Sequence, residues 1–386
     1  LIAPEKVQGL FLIFELSCNE NDNYLLLLQM EFVSVIVLLV FLSFLFYYSL
    51  NFFYRIPDTP DELHFVQTGD NLRIVLHRYH PAGGNKHGEP VFLCHGLGAN
   101  KYNLDMDERY SLARYLSRNG YDCWVISLRG AESWSTAHLT GTIDWQFNFD
   151  TFVEKDLLSA IDYIIERTGK RAIHWVGHSM GGMLLYAYVI HWGGEKIKSG
   201  ITLGSPVRFK SADRHVKLLL NTDIFLRNFR KIPLHILARL SAPFTGIFKS
   251  RIISHQMNPE NVDFRYIRRA QFNAVTPLST HLLKQFKDWL ENDEFRTFDK
   301  SLSYKENLDK INIPVFVIAG KKDKMALIED VKYAYEKISS KDKKYIELSR
   351  ENGFSADYGH IDMVFGKRAP EEIFPVILDW FEKHRG

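Results

Sequence analysis

Apolar residues follow three rhythms along this chain. The first is unbroken: residues 32–54 are almost entirely Val, Ile, Leu, Phe and Tyr, with Ser34, Ser43, Ser49 and Asn51 as polar interruptions and no charge. About 20 such residues cross a bilayer as a helix, so the stretch predicts a transmembrane anchor. A cleaved signal peptide is the competing reading. Against it stand the length of the run, the lack of a basic segment ahead of it, and bulky Asn51-Phe52-Phe53-Tyr54 where a cleavage site needs small residues. A buried core helix is the plainer alternative. Residues 1–29 carry no usable period, and the chain opens on Leu1, so they read as an uncertain extension with Met30 as a candidate start of translation.

The second rhythm is that of strands. Residues 62–68 and 72–79 alternate about Gly69-Asp70-Asn71, a hairpin pattern. Short runs at 91–94, 122–127, 173–176, 200–204, 314–319 and 344–348 suit strands, and the wholly apolar 91–94 suits a buried parallel one. The third rhythm is helical. Residues 110–118 form one such segment, and 150–168 form the clearest, with Val153, Leu157, Ile161, Ile164 and Ile165 on one face and Gly169 just past the end. A last helix over 370–384 should be kinked by Pro375. Strands alternating with helices predict an α/β fold with a mostly parallel sheet covered on both faces.

Between 205 and 312 the strand signals stop and the pattern turns helical and basic, with ten Lys or Arg against two Asp or Glu over residues 206–255. The expected organisation is an anchor at 32–54, a linker at 55–61, a core at 62–204 and 313–386, and a helical cap at 205–312 inserted after the sixth strand. A packed cap with a solvated basic face is the plainer reading. The sharper one is a cap that also touches anionic lipid headgroups.

Composition narrows the function. A chain of 386 residues, 46% apolar and 24% charged, can bury a large core. A net charge of +2, with no zinc-finger or P-loop spacing, gives no reason to expect nucleic acid, a metal or an organic cofactor. Cys18, Cys94 and Cys123 are odd in number and apolar in surroundings, and read as reduced thiols. Glu31 before the apolar run and Arg55 after it favour a single-pass protein with the residues after the run on the cytoplasmic side.

The candidate chemistry centres on Gly177-His178-Ser179-Met180-Gly181, which lies between the strand at 173–176 and an apolar helix carrying Met183, Leu184, Leu185, Tyr188 and Ile190. A G-x-S-x-G pattern is weak by itself; in a strand–turn–helix setting it lifts a serine above the sheet edge as a nucleophile. Ser179 is that nucleophile. Acyl transfer also needs N–H groups aimed at the developing oxyanion, and these are assigned to Leu97, in His95-Gly96-Leu97-Gly98, and to Met180. Asp323 follows a strand and can orient His360, the candidate base. Asp362, in the same short loop as His360, is the rival acid; His174 and His178 read as structural.

The chain resembles the α/β-hydrolase superfamily from about residue 62 to its end. The likeness rests on His95-Gly96-Leu97-Gly98, Gly177-His178-Ser179-Met180-Gly181-Gly182, and the endings Gly320-Lys321-Lys322-Asp323 and Tyr358-Gly359-His360, in the order nucleophile, acid, histidine. Leu97-Gly98-Ala99-Asn100, Gln285-Phe286-Lys287-Asp288-Trp289 and Gly359-His360-Ile361-Asp362 are similar to the bacterial branch near polyhydroxyalkanoate synthases and acid lipases. Serine stands where those synthases use cysteine, which argues against polymer synthesis. The resemblance implies an α/β-hydrolase fold and serine ester chemistry. The expected protein is therefore a membrane-anchored serine hydrolase, esterase- or lipase-like, of carboxylic esters with apolar acyl groups, acting through a Ser179 acyl-enzyme on a small-molecule or lipid ester. An acyltransferase on the same triad, or a ligand-binding module on the same scaffold, are the alternatives.

Overall fold

The computed structural model describes residues 20–57, 59–84, 89–131, 143–210, 228–247 and 251–385. They fall into two units, residues 1–55 and 56–386. Cys18 lies outside the described residues.

Within the first unit, α1 runs Glu20–Tyr54, and its portion Leu27–Tyr54 is long and apolar enough to cross a membrane. The helix begins ahead of the expected residue 32, so positions 20–29 are helical where no element was expected. Polar Glu20, Asn21, Asp22 and Asn23 hide the period there, yet a helix nucleated in the apolar run propagates readily into them. The polar side chains inside the run are satisfied locally. Ser34, Ser43 and Ser49 each donate to the carbonyl four residues back (2.7–2.8 Å), and Asn51 Nδ2 donates to the Tyr47 carbonyl at 2.9 Å. None of the four brings an unpaired polar group to an apolar solvent.

The second unit is built on an eight-stranded sheet. Its strands are β1 (Glu62–Gln67), β2 (Arg73–Tyr79), β3 (Pro90–Cys94), β4 (Asp122–Ser127), β5 (Ile173–His178), β6 (Ile197–Leu203), β9 (Val315–Gly320) and β10 (Lys343–Leu348). Two short strands, β7 (Lys231–Ile232) and β8 (Leu278–Ser279), pair separately. The sheet order is β1-β2-β4-β3-β5-β6-β9-β10, antiparallel at β1-β2 and β2-β4 and parallel elsewhere. Every residue of β3, β4, β5 and β9 is buried, as both-face coverage requires.

Helices α2 (Leu112–Arg118), α3 (Leu158–Thr168) and α4 (Met180–Trp192) follow β3, β4 and β5. Five more precede or follow β8 and β9: α5 (Leu234–Ser241), α6 (Arg251–Gln256), α7 (Phe264–Ala274), α8 (Thr280–Asn292) and α9 (Ile328–Lys337), and α10 (Phe374–Lys383) closes the chain. Side chains of α3, α4, α8 and α9 pack in one core cluster, and those of α2, α7 and α10 in another. These are the two layers expected on either side of a parallel sheet.

Two details depart from expectation. The helix expected over 150–168 opens at Phe149–Thr151 and widens into a π-turn over Phe152–Leu157 before α3 begins. The C-terminal helix is broken rather than kinked: Ala369–Glu372 ends at Ile373, and α10 restarts with Pro375 in its first turn, where its missing N–H costs nothing.

Chain order reverses direction across the sheet between β4 and β5, so the ends of β3 and β5 flank the switch point, the usual position of a site in such sheets. There α4 sits against β3 so closely that a Cβ on Gly181 would lie 2.1 Å from the Cys94 carbonyl oxygen. Backbone cannot yield as a flexible side chain can. Gly181→Ala should therefore destabilise the second unit by about 3 kcal/mol or more, at or above the upper end of the ordinary overpacking cost, read as a lowered urea midpoint.

Candidate active site

Ser179 stands between β5 and α4 with φ 54° and ψ −119°, a conformation that costs a non-glycine residue of order 1–3 kcal/mol. Tertiary contacts hold it there. Its N–H donates to the Leu203 carbonyl on β6 (2.8 Å), and its own carbonyl accepts from Gly182 and Met183. The side chain makes no capping bond to α4.

His360, on the loop after β10, and Asp323, just past β9, are both buried. His360 Nδ1–H donates to Asp323 Oδ2 at 2.7 Å, while Asp323 Oδ1 accepts from the Met325 and Ala326 N–H groups, both at 2.8 Å. The carboxylate is thus fixed before it meets the ring. The ring centroids of His360 and His178, the residue before Ser179, are 4.9 Å apart. Among the described residues no hydrogen bond joins Ser179 Oγ to His360; such contacts are often long in an enzyme without substrate.

Leu97 follows β3 and Met180 opens α4. Among the described residues neither N–H has a hydrogen-bond partner. The loop carrying Leu97 is fixed from behind, since the Gly96 N–H donates to the Asn103 side chain (3.1 Å) and a Cβ on Gly96 would lie 3.1 Å from Ser179 Cβ. Beside Met180 is a narrow recess, lined by Ala99, Leu128, Phe147 and Leu282 together with the polar His95, Arg129 and Ser279. The apolar part of that lining suits an acyl chain. Among the described residues no cluster of His, Cys, Asp or Glu could hold a metal ion. Cys94 and Cys123 are free, buried thiols, and burial pushes both above the ordinary thiol range.

Asp362, weighed as a rival acid, does not meet His360. Its carboxylate accepts from the Gly359 and Asn258 N–H groups and from Asn261 Nδ2 (2.8–3.1 Å).

The family model described as the alpha/beta hydrolase fold matches residues 89–366. The chain belongs to the α/β-hydrolase fold family. Among curated relatives of this α/β hydrolase, the gastric triacylglycerol lipase of Bos taurus is 25% identical over 365 residues, covering 83% of this chain and 87% of that protein. The human lysosomal acid lipase/cholesteryl ester hydrolase is 23% identical, covering 84% and 88%. Among solved structures, an esterase from Exiguobacterium antarcticum aligns with a TM-score of 0.53 at 16% identity, over 82% of this chain and 98% of its own, and supports the fold alone. Family and relatives together make the protein a carboxylic ester hydrolase of the lipase and esterase kind.

Three residues around the site escape a reading of the sequence. Gly204, at the end of β6 with φ 57°, faces the acid–histidine pair: a Cβ there would lie 3.0 Å from Asp323 Oδ2 and 3.2 Å from His360 Nδ1. Its only signal was a glycine closing a strand. Asn103 carried no signal at all. His178 was set aside as structural, yet its Nε2–H donates to the His360 carbonyl (3.1 Å) and its Nδ1 lies 3.0 Å from the Asn103 side chain. It ties the loop of Leu97 to that of His360.

Burial, with the nearby His360 second, holds the His178 ring down to about 3. The unfolded chain takes up a proton below about pH 6.5 that the folded ring refuses. Stability is therefore fully present above that pH and lost as pH falls from about 6.5 toward 3, by up to about 1.4 kcal/mol per unit. His178→Gln should remove that slope from a plot of urea midpoint against pH. An unchanged slope would mean that the ring titrates normally.

Proposed function

We propose that this α/β hydrolase is a membrane-tethered serine hydrolase that cleaves lipid esters through a Ser179 acyl-enzyme. The observation that carries the reading is the 2.7 Å bond from His360 to Asp323, placed past the same sheet ends as the strained Ser179 and two unpartnered N–H groups. With Nδ1–H given to Asp323, His360 Nε2 is left to take the Ser179 proton as Oγ attacks the ester carbonyl. The oxyanion that forms accepts from the N–H groups of Leu97 and Met180, which have no bond to break first. Collapse of the tetrahedral intermediate expels the alcohol, protonated by His360, and leaves the acyl group on Ser179. Water, activated by the same histidine, then releases the acid.

The apolar side chains of the recess beside Met180, Ala99, Leu128, Phe147 and Leu282, support an apolar acyl group, in keeping with relatives named for triacylglycerol and cholesteryl esters. We place the anchor at Leu27–Tyr54 and the catalytic unit on the cytoplasmic side, on the strength of Arg55 past the run and Glu31 near its start. The insertion between β6 and β9 acts as a cap over the site, and part of it suits a membrane surface. Phe229, Ile236, Leu237, Phe244 and Ile247 are exposed there, within residues 224–259, which hold six Lys or Arg and no Asp or Glu.

A fluorophosphonate probe should label the detergent-solubilised chain and fail to label Ser179→Ala. Asp323→Asn should lower kcat on the order of a hundredfold or more, and full esterase activity in Ser179→Ala would sink the mechanism. For the cap, a form lacking residues 1–55 should float with liposomes more strongly as their anionic lipid content rises. Leu237→Ser with Phe244→Ser should abolish that flotation, and flotation independent of lipid charge would remove the cap from the membrane contact.

A further inference from the structure

The loop that carries His360 is held by a strap from the insertion, and the strap closes on a carboxylate that catalysis does not use. Residues 256–262 cross the outside of that loop. The Ile361 N–H donates to the Gln256 carbonyl (2.9 Å), Asn258 Nδ2 to the Asp357 carbonyl (2.8 Å), and the Lys367 N–H to the Asn261 carbonyl (2.7 Å), and Val262 forms a bridge with Gly366. At the centre sits Asp362, fully buried. Oδ1 takes the Asn258 N–H, and Oδ2 takes Asn261 Nδ2 and the Gly359 N–H. The strap lies so close that a Cβ on Gly359, the residue before His360, would fall 2.7 Å from the Asn258 nitrogen.

Among the described residues Asp362 has no cationic partner, and its burial raises the carboxyl above the ordinary range. A buried carboxylate held by dipoles alone is a costly way to fill space. What it supplies is direction, because its two oxygens converge three N–H donors, one from the histidine loop and two from the strap, onto one point. From the other side the His360 carbonyl accepts from His178. The backbone of His360 is therefore clamped between the nucleophile turn and the strap, while Asp323 fixes only the ring.

We propose that Asp362 is a positioning residue for the catalytic histidine, acting by locking residues 256–262 of the insertion onto the His360 loop. The inference rests on the Ser179–His360–Asp323 mechanism above. Asp362→Asn keeps the shape but offers one acceptor oxygen and an NH2 group to three donors, so the clamp loosens without a cavity. In the full chain in detergent, kcat per active site, counted by fluorophosphonate labelling taken to its end point, should fall on the order of ten- to a hundredfold, as for a misplaced catalytic group. KM should stay within about twofold. The low-field proton resonance of the His360–Asp323 bond should broaden.

Asn261→Ala removes one donor from outside the loop and should lower kcat per site in the same direction by a smaller factor. It decides the matter if Asp362→Asn does not fold. A lowered unfolding temperature with wild-type kcat per site and an unchanged resonance would reduce Asp362 to a structural group and overturn the proposal. Activity surviving in Ser179→Ala would instead overturn the mechanism on which it rests.

Discussion

The contact on which the site depends is backbone against backbone, where α4 meets the end of β3. Gly181 rests on the Cys94 carbonyl, and Gly177 faces the backbone of Gly181 and Gly182 with no room for a side chain. So close an approach leaves the chain about one residue in which to turn from strand to helix. Ser179 takes the strain, at φ 54°. The strain is tolerable because α4 is buried from Met180 to Val189 and the β5 register to β6 is fixed on the far side. The same approach brings the first free N–H of α4 to the loop that leaves β3. The proposed nucleophile and the proposed oxyanion donors are thus two outcomes of one packing constraint.

Around that contact, buried charge fixes the loops that apolar packing cannot. Arg129, just past β4, donates to Asp156 on the π-turn and to Asp70 at the tip of the β1–β2 hairpin. A π-turn shifts the side chains that follow it on the helix; here it carries a fully buried Asp156 that an amphipathic pattern would not place inside. Lys101, in the loop after Leu97, is equally buried and pairs with Asp105, which also accepts from Arg114 and Ser111. Two cations and two hydrogen-bond donors, Ser111 and Tyr79, keep Asp105 below the ordinary carboxylate range despite its burial. Removing Arg129 would strand the buried Asp156, at a typical cost of about 3–5 kcal/mol. Both clusters border the recess side or the oxyanion side of the site, so this rigidity sits where geometry matters.

What the sequence revealed was whatever depends on neighbours in the chain. Strands β3, β5 and β9 announce themselves as short apolar runs because both their faces are covered. The turn at Ser179 shows as glycines between a strand and a helix. Residues whose meaning comes from distant partners stayed silent: Asn103 meets His178 across 75 positions, and Asn261 meets Asp362 across 101. No period or spacing encodes such pairs. Asp362 shows the limit from the other direction. Its nearness to His360 in sequence made it a rival acid, but a short loop cannot fold back to bring that carboxylate to Nδ1, and its oxygens turn outward to the strap.

The strap also changes what the insertion is for. A segment that only covered a site could be hinged freely, since nothing in the chemistry would depend on its position. Here the stretch between α6 and α7 is bonded to the loop of His360, and α7 in turn holds α5, through Gln271 to the Ala238 carbonyl and Arg239 to the Phe272 carbonyl. The exposed apolar residues of α5 are therefore linked to the histidine by an unbroken series of hydrogen-bonded elements. Motion of the insertion large enough to open the site must either carry the strap with it, disturbing His360, or hinge between the strap and the part that moves. The glycine at 246, with φ 83°, offers no hinge between them: it packs on Phe264 of α7, and the Thr245 carbonyl accepts from Arg268 Nε at 2.9 Å. In the mechanism proposed above, motion of α5 is therefore coupled through α7 and the strap to the loop of His360.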